Sequence, residues 1–344
     1  MGSVKDLTVL QPAGETEAGR GRFTFSDRYS VFDWGEMPDR IDRKGEALCV
    51  IGAWFFEKLE SEGVPTNYLG LYDEAGEVKR LSDISAPSRS MAVRLFRVLP
   101  PSEQNGIYDY SRYAPGGSNY LIPLEVIYRN RLPEGASVFR RLKEGSTTLQ
   151  ELGLSRMPEP GAELDRPLYD VSTKLEITDR YINWQEAQSI SGLTGEGLKE
   201  LLDLMGRING LITRATGRAG LINEDGKVEF ALDEKGRITV VDVLGTPDEC
   251  RFTYEGLHVS KELARVHYRG TEWHREAEEA KKADRMNWKS RVKTAPSPLP
   301  EKLRDLFAAM YMAAANEITE RRWFPVSALS EIMDQIRVEC DRRG

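Results

Sequence analysis

The chain has 344 residues, 40% hydrophobic and 30% charged, with a formal net charge of −7; that size and balance suit a soluble globular protein of two domains, and the acidic excess argues against nucleic-acid partners. Cys49, Cys250 and Cys340 lie far apart and form no Cys-x-x-Cys pair, which leaves no basis for a disulfide framework or structural zinc site and points to a reduced, cytoplasmic setting. No apolar leader follows Met1, and no run approaches the ~18 apolar residues of a membrane span, so no membrane partner is expected.

In chain order, Thr8-Val9-Leu10 and Phe23-Thr24-Phe25, separated by Gly and Pro clusters, predict a small β-sheet with tight turns. Leu48, Ile51, Phe55 and Leu59 recur at helical spacing and predict a helix over 46–60, ending near Gly63 and Pro65. Met91 to Leu99 reads as a strand. The stretch PPSEQNGIYDYSRYAPGGSNY is rich in turn formers and tyrosine, and reads as a loop or insertion between Pro100 and Pro123. PLEVIYRN resumes a strand, and Leu198, Leu201, Leu202, Met205, Ile208 and Ile212 share one face of a helix over 196–216. After the linker KTAPSPLPEK, Leu303, Leu306, Phe307, Met310 and Ala314 share one helical face, and Leu329, Ile332, Met333 and Ile336 share another. Such faces pack on the same chain or on a partner, so a homodimer is admitted.

The stretch GKVEFALDEKGRITVVDV predicts a β-hairpin. If Asp233 to Gly236 close it, Leu232 faces Arg237, Glu229 faces Val240 and Lys227 faces Asp242. Alternation then puts Lys227, Glu229 and Asp242 on one face, with Val228, Phe230 and Leu232 on the other. Two carboxylates and a lysine suit magnesium–triphosphate chemistry: hard oxygen ligands for the ion and a cation for phosphate charge. The same pattern suits a hairpin whose polar face is merely wet, and a slip of one residue sends Asp242 to the other face.

Other nucleotide and hydrolase signatures are missing, namely Gly-x-x-x-x-Gly-Lys-Ser/Thr, a complete Gly-x-Gly-x-x-Gly, His-Glu-x-x-His and Gly-x-Ser-x-Gly. His258, His267 and His274 fall in one short segment without helical i, i+4 pairing, so a Ser-His-Asp hydrolase is not expected.

A series of blocks, GSVKDL, SDRYSVFD, DRKGEAL, GVPTNY, RSMAVR, PLEVIYRN, STKLEITD, AGLINEDGKVEFAL and TPDECRF, resembles the SAICAR synthetase family in order, over roughly residues 1–270. The resemblance implies an α+β, two-lobed ATP-binding fold, with a small antiparallel sheet domain, a larger mixed α/β domain and a helical C-terminal extension. The implied boundaries are 1–99 for the first ATP-binding lobe, 100–122 for the insertion, 123–285 for the second ATP- and substrate-binding lobe and 286–344 for the extension. The implied reaction is that of a carbon–nitrogen ligase of purine biosynthesis. It joins carboxyaminoimidazole ribonucleotide (CAIR) to L-aspartate, with ATP and Mg2+ as cofactors.

Carried over by position, Gly2, Ser3, Val4 and Lys5 resemble a first hairpin over the ATP phosphates. Arg94 sits where the family has a basic residue near the nucleotide, and Arg97, Val98 and Leu99 belong to the segment around adenine. Lys227 resembles an ATP-contacting catalytic lysine with Asp225 beside it, and Glu229 and Asp242 resemble magnesium ligands. Arg129, Ser137 and Arg251 match ribonucleotide-phosphate positions. Asp248 is placed near the imidazole, Ser30, Asp33 and Lys44 in a signature near the substrates, and Lys261 and Arg265 at later basic contacts. Lys174, Glu176 and Asp179 match a signature without assigned roles. Val243 stands where the family often has a second acid, and Glu249-Cys250 replaces small residues before Arg251. Two rival readings stand beside this one: a related ligase taking another amine or carboxylate, and a nucleotide-binding regulator without catalysis.

Overall fold

A computed structural model describes residues 5–133, 135–284 and 287–342. Two antiparallel sheets form its frame. Strands β1 (Lys5–Gln11), β2 (Gly19–Phe25), β3 (Tyr68–Tyr72), β4 (Val78–Lys79) and β5 (Ser90–Leu95) make the first, in the order β1-β2-β5-β3-β4. Along β2 the residues alternate, with Phe23 and Phe25 turned to the core. Helix α1 (Lys44–Ser61) covers that face and is buried almost all round, because α7 (Glu301–Ile318) packs on its other side. Gly45 lets the helix start against β2, since a Cβ there would stand 2.6 Å from the Phe25 carbonyl oxygen.

The stretch 100–122, expected as a loop, contains a two-stranded hairpin of β6 (Ser102–Gln104) and β7 (Ile107–Asp109). Asn105 and Gly106 turn it with φ of 54° and 80°, the left-handed pair that an Asn-Gly turn favours. The strand expected to reach Leu99 ends at Leu95, and the second sheet takes up the chain at Tyr120.

The second sheet comprises β8 (Tyr120–Arg131), β9 (Glu163–Thr173), β10 (Ile222–Leu232), β11 (Ile238–Val241), β12 (Cys250–Tyr254) and β13 (Leu257–His258). Its order is β13-β12-β10-β8-β9, with β11 beside the far end of β10. Leu124, Val126, Tyr128, Val228 and Phe230 fill its inner face. Helix α4 (Gly195–Arg218) lies on β10 through Leu201, Leu204, Met205, Ile208 and Ile212, and the Thr194 hydroxyl caps it by accepting from Gly197 N at 3.1 Å. Shorter helices complete this half: α2 (Ser137–Glu144), α3 (Trp184–Ser191), α5 (Glu262–Tyr268) and α6 (Glu272–Ala283).

Helices α7 and α8 (Leu329–Asp341) bury Leu303, Phe307, Met310, Leu329, Met333 and Ile336 inside the chain. The apolar faces that admitted a homodimer are thus covered by α1, α4 and each other. Backbone bridges Thr66↔Val240 and Arg97↔Tyr120 tie the two sheets together. No helix among the described residues is long and apolar enough to cross a membrane.

Candidate active site

The outer face of the second sheet gathers charged side chains. Asp225 of β10 pairs with Arg129 of β8, Lys227 with Ile127, and Glu229 with Glu125. Asp225 also faces Arg251 of β12, while Ile127 and Glu125 face Asp170 and Ser172 of β9. Since side chains alternate, all of these project from one face, in a row from Asp225 to Glu229.

The β10–β11 hairpin differs by one residue from the register expected. Glu229 faces Val241 and Leu232 faces Ile238, because Asp233 to Arg237 form a five-residue loop. The Asp233 carboxylate accepts from the backbone N–H groups of Lys235 and Arg237 at 2.9 Å each, and Gly236 takes φ 74°. By alternation alone this slip would move Asp242 off the Glu229 face. The strand stops at Val241, however, and Asp242 adopts φ 67°. That turn brings its carboxylate to Lys5, whose Nζ lies 2.8 Å away. Val243 is buried against α1, where a Cβ on Gly52 would touch its side chain at 2.6 Å.

A cavity of about 750 Å³ opens between the two sheets. Leu7, Val9 and Phe23 of the β1–β2 hairpin form one wall, residues 94–99 another, and Lys174, Glu229 and Asp242 the inner end. Arg97 N donates to Asn119 O at 3.2 Å and its carbonyl accepts from Leu121 N at 2.8 Å. The neighbouring Phe96 and Val98 therefore turn their backbone groups to the opposite side. The Arg97 guanidinium points away from the cavity, to the carbonyls of Asn119 and Ser118. Arg94 is ion-paired to Glu234 at the rim. Asn67, also on the wall, has a buried Oδ1 without a hydrogen-bond partner. Gly2, Ser3 and Val4 lie outside the described residues.

At the inner end a bar of charges crosses the sheet. Lys174 Nζ lies 2.5 Å from Glu229 Oε1, and Lys227 Nζ lies 2.9 Å from Glu125 Oε1 and 3.5 Å from Glu249 Oε2. Burial opposes the Lys227 ammonium, but Glu249, Glu125 and Glu229 outweigh it and hold its pKa above the usual lysine value. Burial and the nearby Asp242 push the Glu229 carboxyl up to about 7, against the pull of Lys174 and Lys227.

Beyond the bar lies a second cavity of about 330 Å³, lined by Lys227, Arg129, Asp225, Arg251, Asp248, Lys261 and Arg265 among others. Arg129 is 2% exposed and bonds Asp170 and Asp225 at 3.1 Å each and Ser137 Oγ at 3.3 Å. Arg251 lies 3.4 Å from Asp225. Asp225 thus sits between two guanidiniums, away from the Glu229 end. Lys44 faces neither cavity; it is fully buried behind Asp248, 2.7 Å away. A side recess of about 340 Å³ continues past Arg251 and Arg265 to Asp33, His258, Arg269 and Lys281. Ser30 lines none of these spaces and accepts from Gly35 N at 3.3 Å within its own loop.

Glu125, Glu249 and Asn67 were given no site role in the sequence. Glu125 was within reach, since period-2 alternation along PLEVIYRN places it on the face of Arg129. Glu249 and Asn67 lie in turns and carry no such signal.

Among the described residues no three His, Cys, Asp or Glu side chains gather as a metal cage. Glu229 and Asp242 offer two hard carboxylates at the inner end of the larger cavity, neutralised by Lys174 and Lys5. A two-carboxylate donor set suits an ion that takes its other ligands from water and phosphate.

Comparison with known proteins gives the family of the chain. The model of the SAICAR synthetase family matches residues 15–280. The chain is 47% identical to the "putative phosphoribosylaminoimidazole-succinocarboxamide synthase" of Archaeoglobus fulgidus, over 98% of this chain and 99% of that one. It is 34% identical to the phosphoribosylaminoimidazole-succinocarboxamide synthase of Thermoplasma volcanium, over 88% and 93%. In fold it is similar to the Saccharomyces cerevisiae SAICAR synthase complexed with SAICAR, with TM-score 0.63, 22% identity and 94% of each chain covered. It is likewise similar to a SAICAR synthetase in complex with ADP, with TM-score 0.55, 21% identity and 87% and 99% covered.

Proposed function

The chain belongs to the SAICAR synthetase family, and from that premise we propose how its residues share the work. It is an ATP-dependent ligase of purine biosynthesis that joins CAIR to L-aspartate, giving SAICAR, ADP and phosphate. The observation that carries the assignment of roles is the bar of Lys174, Glu229 and Lys227, where the larger cavity and the smaller one meet.

A carboxylate resists attack by an amine because oxide is a poor leaving group. Transfer of the ATP γ-phosphoryl group to the CAIR carboxylate breaks the β–γ bridge and forms an acyl phosphate. The aspartate amine then attacks the acyl carbon, the C–N bond forms, the amine loses a proton and phosphate departs. Three anionic partners meet in an acidic protein, so local cations must offset their charge.

ATP occupies the 750 Å³ cavity. Leu7, Val9, Val98 and Leu99 enclose the adenine, the backbone of Phe96 and Val98 meets its edge, and the unpartnered Asn67 Oδ1 accepts a hydrogen bond from the nucleotide. Lys5, Lys174 and Arg94 exchange their carboxylate partners for phosphate oxygens. Glu229 and Asp242 would hold Mg2+, which supplies charge neutralisation on the phosphates. CAIR lies in the smaller cavity with its phosphate at Arg129, Ser137 and Arg251 and its carboxylate toward Lys227. Lys227 draws the reacting oxygens together, and Asp225 orients the two arginines as a positioning group.

By segment, 1–99 serves the nucleotide, 100–122 bridges the lobes, 123–285 holds CAIR and aspartate, and 286–344 supports the site from behind. The buried, unbridged thiols of Cys49 and Cys250 suit a cytoplasmic enzyme. Purified protein incubated with ATP, Mg2+, CAIR and aspartate should yield SAICAR on chromatography; failure to form it in active-enzyme conditions would sink this reading.

A further inference from the structure

Asp248, on the wall of the substrate cavity, has both carboxylate oxygens held from behind. Oδ2 accepts from Lys44 Nζ at 2.7 Å, and Oδ1 accepts from the Tyr311 hydroxyl at 2.7 Å. Lys44 is 0%, Asp248 5% and Tyr311 1% exposed. Lys44 also donates to the Arg28 carbonyl at 3.1 Å, and its Nζ lies 5.5 Å from the Tyr311 ring centre. Lys44 opens α1, Asp248 follows β11, and Tyr311 lies in α7, past residue 280 where the family match stops.

The two donors do different things. Burial would push the Asp248 carboxyl up, but Lys44, Lys261 and the Tyr311 hydroxyl hold it below the usual carboxylate range. Lys44 already supplies the charge that keeps it ionised. It leaves the carboxylate free to turn, because the last torsion of an Asp side chain is broad rather than staggered. A second bond to the other oxygen fixes the carboxylate plane. Each oxygen keeps further lone pairs for a donor in the cavity.

We propose that Tyr311, in the C-terminal extension, is a positioning residue for the ribonucleotide: acting through Asp248, it aims the carboxylate's remaining lone pairs at the amino group of the bound aminoimidazole. This rests on the placement of CAIR given above. It gives the extension a part in substrate recognition, not only in packing.

The test compares wild type, Tyr311→Phe, Asp248→Asn and the double variant by steady-state kinetics. Turnover by wild type with CAIR, aspartate and ATP tests the reading of the reaction itself. Given that turnover, Tyr311→Phe should raise the KM for CAIR about tenfold, the worth of one well-aligned hydrogen bond, and leave the KM for ATP within about twofold. A KM does not depend on how much of a preparation is folded, so reduced yield does not blur the result. In the Asp248→Asn background the same change should add nothing, as expected of residues acting through one group. An unchanged KM for CAIR in Tyr311→Phe, an equal rise in the KM for ATP, or effects that multiply in the double variant would overturn the proposal.

Discussion

The Lys5 ammonium lies 2.8 Å from the Asp242 carboxylate, so the first strand of one sheet is tied to the residue that ends the hairpin of the other. The bond closes the β1–β2 hairpin over the larger cavity and sets a cation at the proposed site of the nucleotide phosphates. Lys5→Met should raise the KM for ATP about tenfold or more while the KM for CAIR stays near wild type, in line with a charge-assisted hydrogen bond of ~1.5–3 kcal/mol. An unchanged KM for ATP would remove Lys5 from nucleotide binding.

Glu229 and Asp242 are the two carboxylates at the inner end of that cavity, and Val243 is buried against α1 and cannot join them. Even outer partners of a metal site usually cost 10–100-fold when removed, so Glu229→Gln and Asp242→Asn should each lower kcat/KM by at least ~10²-fold. Thermal unfolding should show both variants folded. Near-normal rates in both would refute the metal-ligand assignment.

Glu229 also sets a pH dependence. Burial and Asp242 raise its carboxyl to about 7, so below that value a proton competes with the cation and above it the carboxylate is free. The Mg2+ concentration giving half-maximal rate should therefore rise as pH falls from 8 to 6, the range bracketing that value ~1 unit either side. Titration of activity with MgCl2 at several pH values measures it, and a requirement that is flat across the range would contradict the proposed role.

Arg129 and Arg251 both face the proposed phosphate site, but their surroundings differ. Arg251 is partly exposed with one carboxylate at 3.4 Å, whereas Arg129 is 2% exposed between two acids. Arg251→Ala should fold normally and lose ~10²-fold in kcat/KM for CAIR, a loss of about 2.7 kcal/mol. Arg129→Ala removes the buried guanidinium that Asp170 and Asp225 share, leaving Asp170 to Arg141 and Asp225 to Arg251 alone, and should lower stability by about 3 kcal/mol. Urea denaturation separates the two, and equal stability losses would contradict the difference in burial.

Much of this architecture was legible in the sequence because it follows simple periods. Leu48, Ile51, Phe55 and Leu59 marked α1, Leu201, Met205 and Ile208 marked α4, and alternation along Lys227 to Leu232 marked β10. The hairpin register was not, because the Asp233 carboxylate binds its own loop and adds one residue to the turn. The Asn105-Gly106 turn was a local signal that the surrounding turn formers and tyrosines obscured. Strand β9 and the helices α2, α3, α5 and α6 were not legible; each runs 7 to 12 residues, a short window in which a period does not stand out. For the site, alternation gives the face shared by Lys227 and Glu229. It does not reveal that Asp242 turns back on a positive φ, nor that Lys44 lies behind Asp248 rather than in the cavity.

In the proposed mechanism, two cavities meeting beside Lys227 couple ATP cleavage to amide formation. The most direct test is ADP release from the purified protein with each substrate omitted in turn. Sustained ADP release is expected only when CAIR and aspartate are both present, with one SAICAR formed per ADP. Sustained release without aspartate, or turnover with another amine and none with aspartate, would contradict it.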